Sequence, residues 1–288
     1  MPIFMDRHDI PKEIKAAHVA QMHQADLKIE HLFGCKGMTY WCDEERNTAF
    51  CLIEAPNKKA IQDMHNHAHG EFPHSIIEVD KKIVESFLGR IEDPEKAQNT
   101  KLNIINDPAF RVIMVIKISN YLNRLEANQF NIFFQKFHNS VLKTLKQFNG
   151  RIVKNNNNSY LVSFKTVTEA VLCALKIQFK FKYVTPKFDP TIRMLKIGLG
   201  SGVPVTDKAN IFEEATTLAT RMCEVIDGQL MISSEVKSLY ESENRNTIID
   251  ETLVRVLHPS EEKFLTHLMD YIESNWNKPN FNVTNFLG

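Results

Sequence analysis

The first 80 residues alternate four short β-type runs with two amphipathic helices, and each helix is closed by a glycine. The β-type runs are Pro2–Asp9, Met38–Cys42, Thr48–Ala55 and Ser75–Asp80. Pro11 opens the first helix, which runs to about Phe33 and stops at Gly34, and Lys58–His69 is the second, stopped by Gly70. Proline is tolerated in a first helical turn and glycine favours the left-handed C-cap, so both boundaries are marked. The polar turn Asp43–Asn47 joins the middle runs as a hairpin. This βαββαβ order is the split-βαβ arrangement, whose period-2 strands and 3.6-period helices share one core. A unit of this size is marginal alone, which favours pairing with a second copy.

Histidines crowd the same segment. Eight of eleven (His8, His18, His23, His31, His65, His67, His69, His74) lie in the first 74 residues, with three of the five cysteines, Cys35, Cys42 and Cys51. His65 and His69 are four apart on the second helix, at the edge of a core stripe of Ile61, Met64 and Ala68. Two imidazoles at that spacing can chelate a divalent ion, whereas His67 points elsewhere. His8 shares the parity of Asp6 on the first strand. Cys51 and Glu54 have opposite parity, so a bulge or a strand end is needed for both to serve one site. On the first helix the expected core stripe is Ile14, His18, Gln21, Ala25, Ile29 and Leu32, with His23 roughly opposite and free to face a second subunit. The bland alternative is a solvated histidine face and a cysteine buried as a small hydrophobe.

Beyond this segment, Lys81–Pro108 holds one short helix and the polar stretch EDPEKAQNTK, and reads as a linker. A second domain starts near residue 109. Arg111–Ile118 is apolar enough to be buried on both faces. The helix Gln129–Phe148, a hairpin tipped by Asn155–Asn158, the helix Thr168–Phe181, the strand Met194–Gly200, the helix Glu213–Ile226, the strand Gln229–Ser233 and a short helix Ser234–Tyr240 follow. Glu261–Trp276 is a last helix, with Phe264, Leu268 and Ile272 as one stripe. The expected class is α+β, with domains at 1–80, 109–258 and 259–288 and a linker at 81–108.

Lys+Arg and Asp+Glu both number 35, so neutrality argues against a chain-wide nucleic-acid or anionic-membrane surface. No apolar run reaches the ~20 residues of a membrane span. An odd cysteine count in a chain of 288 residues suits a reduced, cytoplasmic protein.

The motifs MDRHD, HQADL, AFCLIEAPN, MHNHAHG and IIEV resemble a small family of bacterial nickel-binding proteins with a dimeric ferredoxin-like fold. The resemblance implies a homodimer and a divalent transition metal, nickel foremost, with zinc or copper as alternatives. It places His8, His23, Cys51, Glu54, His65 and His69 at the functional positions. The segments RVIMVIKISNYL, GRIVKNNNNSYLVSF and KIGLGSGVPV with ATTLATRMCEVIDGQLMISSEV resemble a class III nucleotide-cyclase domain. In that family two aspartates hold two metal ions. Lys117 and Asn158 stand at those positions, Thr217 stands at the asparagine of the helix motif, and only Arg221 is kept. A lysine repels a cation and an asparagine is a weak magnesium ligand, so the expectation is a non-catalytic domain for dimerisation or for sensing a small ligand or nucleotide. EEKFLTHLMDYIESNWNKPNFNVTNFLG resembles the opening of an AraC-type DNA-binding domain, with Asn280–Leu287 as turn and second-helix entry. Its recognition helices are missing, so DNA would be met only through residues outside this chain. The combined expectation is the sensory part of a metal-responsive transcriptional regulator. The alternatives are a metal store or carrier and a divergent cyclase-like enzyme.

Overall fold

The computed structural model describes residues 1–94, 102–119, 127–156, 158–184, 194–225, 230–245 and 247–278. The chain divides into two units, Met1–Arg111 with Gly202–Glu214, and Val112–Ser201 with Ala215–Gly288. The fold class is α+β.

In the first unit, strands β1 (Ile3–Asp9), β2 (Lys36–Asp43), β3 (Thr48–Glu54) and β4 (Ser75–Val79) form an antiparallel sheet in the order β2-β3-β1-β4. Helices α1 (Ala16–Ile29) and α2 (Lys58–His69) lie on one face. Ala16, Val19 and Ala20 of α1 and Ile61 and Met64 of α2 pack there on Phe4, Tyr40, Cys42, Ala49, Cys51, Ile53 and Ile76. Gly34 and Gly70 cap the helical segments with φ of 63° and 78°, as expected. The expected start at Pro11 is corrected. Residues 11–13 form a turn closed by the Ile14 N–H on the Pro11 carbonyl, and α1 begins at Ala16, whose N–H Glu44 accepts. A 3₁₀ turn, Glu30–Phe33, completes the segment.

The opposite face of this sheet is also covered. Met5, Trp41, Phe50 and Leu52 are buried on it. Arg90 stacks its guanidinium over Trp41. The arm Gly202–Glu214 reaches the same face, where Arg7 donates to the Val205 carbonyl and the Ser75 hydroxyl to that of Thr206. The stretch read from sequence as a linker includes helix α3 (Lys81–Leu88), N-capped by Asp80, and Arg111 donates to the carbonyls of Phe87 and Leu88 at its far end.

The second unit holds a six-stranded mixed sheet in the order β10-β9-β8-β5-β7-β6. Its strands are β5 (Arg111–Ser119), β6 (Arg151–Asn156), β7 (Ser159–Phe164), β8 (Met194–Gly202), β9 (Leu230–Ile232) and β10 (Arg255–Val256). β5, β6 and β7 pair antiparallel, whereas β8, β9 and β10 pair parallel. The helices are α4 (Ala127–Gln147), α5 (Val167–Val184), α6 (Glu213–Val225), α7 (Ser234–Glu243) and α8 (Pro259–Asn275). Gly198 and Gly200 of β8 have a packing role. A Cβ there would stand 2.4 Å from the Ala219 carbonyl oxygen and 2.8 Å from that of Ala215, so the glycines let α6 approach the strand. Helix α8 packs on the same unit through Leu265, among Ala219, Met222, Cys223 and Leu257. Its expected stripe shifts by one residue. Leu265 is buried and Phe264 is exposed, because contact with α6 and not periodicity alone chooses the face. The AraC-type turn and second-helix entry, Asn280–Leu287, lie outside the described residues.

Candidate metal centre

β1 and β3 send alternate side chains into the face that α1 and α2 cover, so Asp6 and His8 of β1 and Cys51 of β3 point toward the helices. From α1, Ala16, Val19, Ala20, His23 and Asp26 form the buried stripe. The expected stripe of Ile14, His18, Gln21, Ala25, Ile29 and Leu32 is therefore corrected. Gln21 and Leu32 are exposed, and His18 stands outside the core, accepting the Lys15 N–H at 3.1 Å near the helix start. His23 points inward, against the Tyr40 ring, and not toward a second subunit. From α2, His65 is buried beside Ile61 and Met64, and His69 follows one turn later. His67 is exposed beside Phe33.

These side chains meet in one small cavity lined by His8, His23, Asp26, Cys51, His65 and His69 with apolar Val19, Met22 and Ala49. Five of the six residues singled out from sequence are there. Glu54 lies apart, at the end of β3, where it pairs with the amino terminus at 3.3 Å. Two carboxylates that the sequence reading did not assign, Asp6 and Asp26, complete the cluster.

The geometry centres on His65, which is 1% exposed. Its Nε2 is 2.9 Å from Asp6 Oδ2, and its Nδ1 is 3.1 Å from Asp26 Oδ1. His69 Nε2 closes a triangle, 3.3 Å from His65 Nδ1 and 3.3 Å from Asp26 Oδ1. On the other side of Asp6, Oδ1 accepts the Cys51 N–H at 2.9 Å and lies 3.5 Å from His8 Nε2. The His8 and His65 rings meet edge to face at 5.0 Å.

Electrostatics follow from burial and pairing. Burial opposes a charge on His65, but the hydrogen bonds to Asp26 and Asp6 overcome it and raise its pKa from 6.5 to about 10. At neutral pH it is an imidazolium held between two carboxylates. Burial likewise pushes up the Asp6 carboxyl, yet His8 and His65 hold it well below the usual carboxylate range. Asp26 is lowered too, against its burial, by His65 and His69. Burial lowers His23, in spite of the surrounding carboxylates. Burial, with Asp6 and Asp26 adding to it, pushes the Cys51 thiol far up.

The donor set suits a divalent transition ion. Ligands ~2.1 Å from one ion stand about 3.0 Å apart when cis in an octahedron and about 3.4 Å apart in a tetrahedron. The Asp26–His65–His69 triangle, with edges of 3.1, 3.3 and 3.3 Å, falls between the two. A cation above that face would also replace the positive charge that the His65 proton now supplies to the carboxylates.

In the second unit, the cyclase positions make contacts of another kind. Lys117 is ion-paired with Glu224. The Asn158 carbonyl accepts the Ile118 N–H at 2.9 Å while the residue itself is exposed. Thr217 is half-buried on α6. Arg221 is buried and binds Asp270, Glu273 and the Thr266 carbonyl, all on α8. Among the described residues, no group of three or more potential metal ligands lies in this unit.

Comparison with known proteins separates the two units. Solved cyclases match at low identity: adenylyl cyclase CyaB from P. aeruginosa (18% identity, 46% of this chain and 81% of that chain, TM-score 0.40) and guanylyl cyclase Cya2 (14%, 46% and 78%, TM-score 0.38). Scores at this level carry no chemistry to the chain. No curated protein matches its sequence. Residues 4–79, which hold every residue of the cavity, match the model described as "Nickel responsive protein SCO4226-like". SCO4226 from Streptomyces coelicolor A3(2) is 35% identical over 27% of this chain and 94% of its own, with a TM-score of 0.26 over the whole. Through its first unit, the chain belongs to the nickel responsive protein SCO4226-like family.

Proposed function

We propose that the chain is a metal-responsive regulatory protein, acting as a homodimer, whose first unit takes up nickel at Asp26, His65 and His69 and whose second unit is non-catalytic. The observation that carries the metal reading is the ligand triangle on α1 and α2, buried and with edges between those of an octahedral and a tetrahedral site. Building it costs stability, because two carboxylates and an imidazolium leave water together. A fold with only a core to build would fill those positions with apolar side chains. Asp6 acts on the opposite edge of the His65 ring. By accepting the Nε2 proton it leaves Nδ1 facing the triangle, the usual way an outer carboxylate orients a metal-binding imidazole. Imidazole and carboxylate bind copper, nickel and zinc alike, so supply in the cell and not the donor set selects among them.

The non-catalytic reading of the second unit is supported by what occupies its polar positions. Lys117 and Arg221 are both committed to carboxylates of the chain itself. Leu265 and Met269 of α8 are spent on packing, so the DNA-reading output expected from sequence draws no support from this helix.

Calorimetric titration with Ni²⁺, backed by elemental analysis, tests the metal reading. The wild-type chain is expected to bind tightly, and Asp26→Asn and His69→Ala each to weaken the first equivalent by at least ~100-fold, more than the loss of an outer-shell partner. Equal binding in wild type and both variants would sink the reading, as would no binding beyond weak surface chelation.

A further inference from the structure

Charge is spread unevenly in the second unit. Residues 127–184 hold eight lysines and one arginine against a single acid, Glu169, in a chain that is neutral overall. Six of these nine cations lie on α4 and α5. The two helices run antiparallel, since Phe137 meets Phe181 near one end and Asn149 meets Glu169 near the other. Both bury one face, Phe137, Val141 and Leu145 of α4 and Ala174, Ile177 and Phe181 of α5. The outer faces mix cations with large apolar groups. On α4, Ile132, Lys136, Leu142, Lys143 and Lys146 are exposed on one side of the helix. On α5, Leu172, Lys176, Phe179 and Tyr183 recur every three or four residues as one exposed stripe. Ile132, Phe179 and Tyr183 are 56%, 53% and 74% exposed, so substantial apolar surface is left in water. Glu169 stands in the first turn of α5, bound by Asn149 and Thr166, and neither helix carries another acid. Among the described residues, no ion pair joins Lys136, Lys143 or Lys146 to an acid.

We propose that this two-helix face docks on an anionic lipid leaflet, its lysines pairing with headgroups and its exposed apolar side chains entering the boundary beneath them. The occupant follows from the mixture. Headgroups supply negative charge and the acyl boundary supplies apolar cover, and a lysine-rich helix face interleaved with aliphatic and aromatic groups uses both. A nucleic acid would answer the lysines only. Ile132, Leu142 and Leu172 would find no partner along a phosphate backbone. Phe179 and Tyr183 lie against each other, rings 5.1 Å apart and tilted by 56°, instead of standing apart to take bases between them. A second copy placed on the same face by a twofold axis would set lysine against lysine. Lys176 already has the posture of an interfacial lysine, its stem along apolar surface and its Nζ 5.9 Å from the Phe179 ring centre. Among the described residues, no helix is long and apolar enough to cross a membrane, and the contact proposed is with the leaflet surface. The proposal does not rest on the metal reading, because every residue it uses belongs to the second unit.

The test is co-sedimentation of the full chain with phosphatidylcholine vesicles that contain or lack phosphatidylserine. Binding to the phosphatidylserine vesicles is expected to be at least about tenfold tighter and to fall steeply with added salt. The triple variant Lys136→Gln, Lys143→Gln, Lys146→Gln should weaken it about 100-fold, roughly fivefold per charge. The double variant Phe179→Ala, Tyr183→Ala should weaken it at least about tenfold and keep the salt dependence. All five side chains are exposed, so urea unfolding of both variants should overlay the wild type. Equal binding to the two vesicle types, or none to either, overturns the proposal. Binding that the lysine variant leaves intact overturns it by removing charge as the means of recognition, and binding that the aromatic variant leaves intact overturns it by removing insertion. Tighter binding to a single-stranded oligonucleotide than to vesicles, lost in the lysine variant, overturns it in favour of a nucleic-acid partner. The comparison of the two vesicle types with the wild type stands on its own should a variant fold poorly.

Discussion

Each unit buries one cation against two carboxylates, and the two do it in opposite ways. In the first, the His65 imidazolium and both partners, Asp6 and Asp26, are at most 4% exposed. In the second, Arg221 is buried, but the side chains of Asp270 and Glu273 are 55% and 61% exposed. The Arg221 contacts join α6 to α8 at an edge where the acids keep their water, so little desolvation is paid and little binding chemistry is stored. The first cluster has no such escape. Its charges were all removed from water, and they converge on a cavity. Two groups of donor atoms at ligand spacing are found there and none among the described residues of the second unit. The converging buried charge is the arrangement on which the proposed metal site rests, whereas the charge that reaches the surface joins two helices.

The sharpest break of this comparison is Asp6→Asn. Asparagine keeps the shape and can still accept the Cys51 N–H, but it removes one of the two charges that hold His65. Breaking a fully buried pair costs ~3–5 kcal/mol, with relief if His65 loses its proton. Urea unfolding followed by fluorescence reads this for the first unit, because Trp41 is buried there while Trp276, in the second, is 68% exposed. A loss under ~1 kcal/mol would show that His65 is not held as a cation.

Much of this was legible in the sequence, and most of what was missed at the site lies on α1. The strands, the α2 span and the glycine caps at Gly34 and Gly70 announce themselves because apolar alternation and turn chemistry specify them. α1 misleads. Its inward stripe runs through Ala16, Val19, Ala20, His23 and Asp26, so the apolar-counting rule prefers the neighbouring face and places His18 inside and His23 outside. A helix that lines a polar site breaks the pattern by which core faces are recognised. Asp26 escaped for that reason. Asp6 could have been found, since it shares the parity of His8 and stands opposite Cys51 in the β1–β3 register.

The pH dependence is of mixed sign. His65 is raised in the fold from 6.5 to about 10, so its contribution to stability is fully present below pH 6.5 and is lost as pH rises through about 10. Asp6 and Asp26 are lowered from 3.8, so theirs is present above pH 3.8 and lost as pH falls through their lower folded values. The first unit should therefore lose urea resistance from pH 6.5 to 10. Ni²⁺ affinity should move the other way over the same window, by up to about tenfold per pH unit, as the metal displaces the His65 proton. Parallel movement of the two would break the account of His65 as the charge that a metal replaces.

The smallest effect belongs to the second unit, and it sharpens the comparison by being small. Lys117 and Glu224 form a pair whose side chains are 29% and 43% exposed, so water screens them and the pair is worth at most ~1 kcal/mol. The double variant Lys117→Asp with Asn158→Asp supplies two carboxylates at positions that β5 and β7 place side by side, since Lys117 is opposite Ser159 and the Ile118 N–H bonds to the Asn158 carbonyl. Urea unfolding should change by no more than ~1 kcal/mol, and incubation with ATP or GTP and Mg²⁺ or Mn²⁺ should give no cyclic nucleotide above a heat-killed control. The reason lies in Arg221. Its guanidinium is bound to Asp270, Glu273 and the Thr266 carbonyl of α8, so two added carboxylates gain a cation site without a free guanidinium to act on a phosphate beside it. Steady product from the double variant would show that α8 yields Arg221 to a nucleotide, and the contrast between a binding site in one unit and a structural joint in the other would fail at that residue.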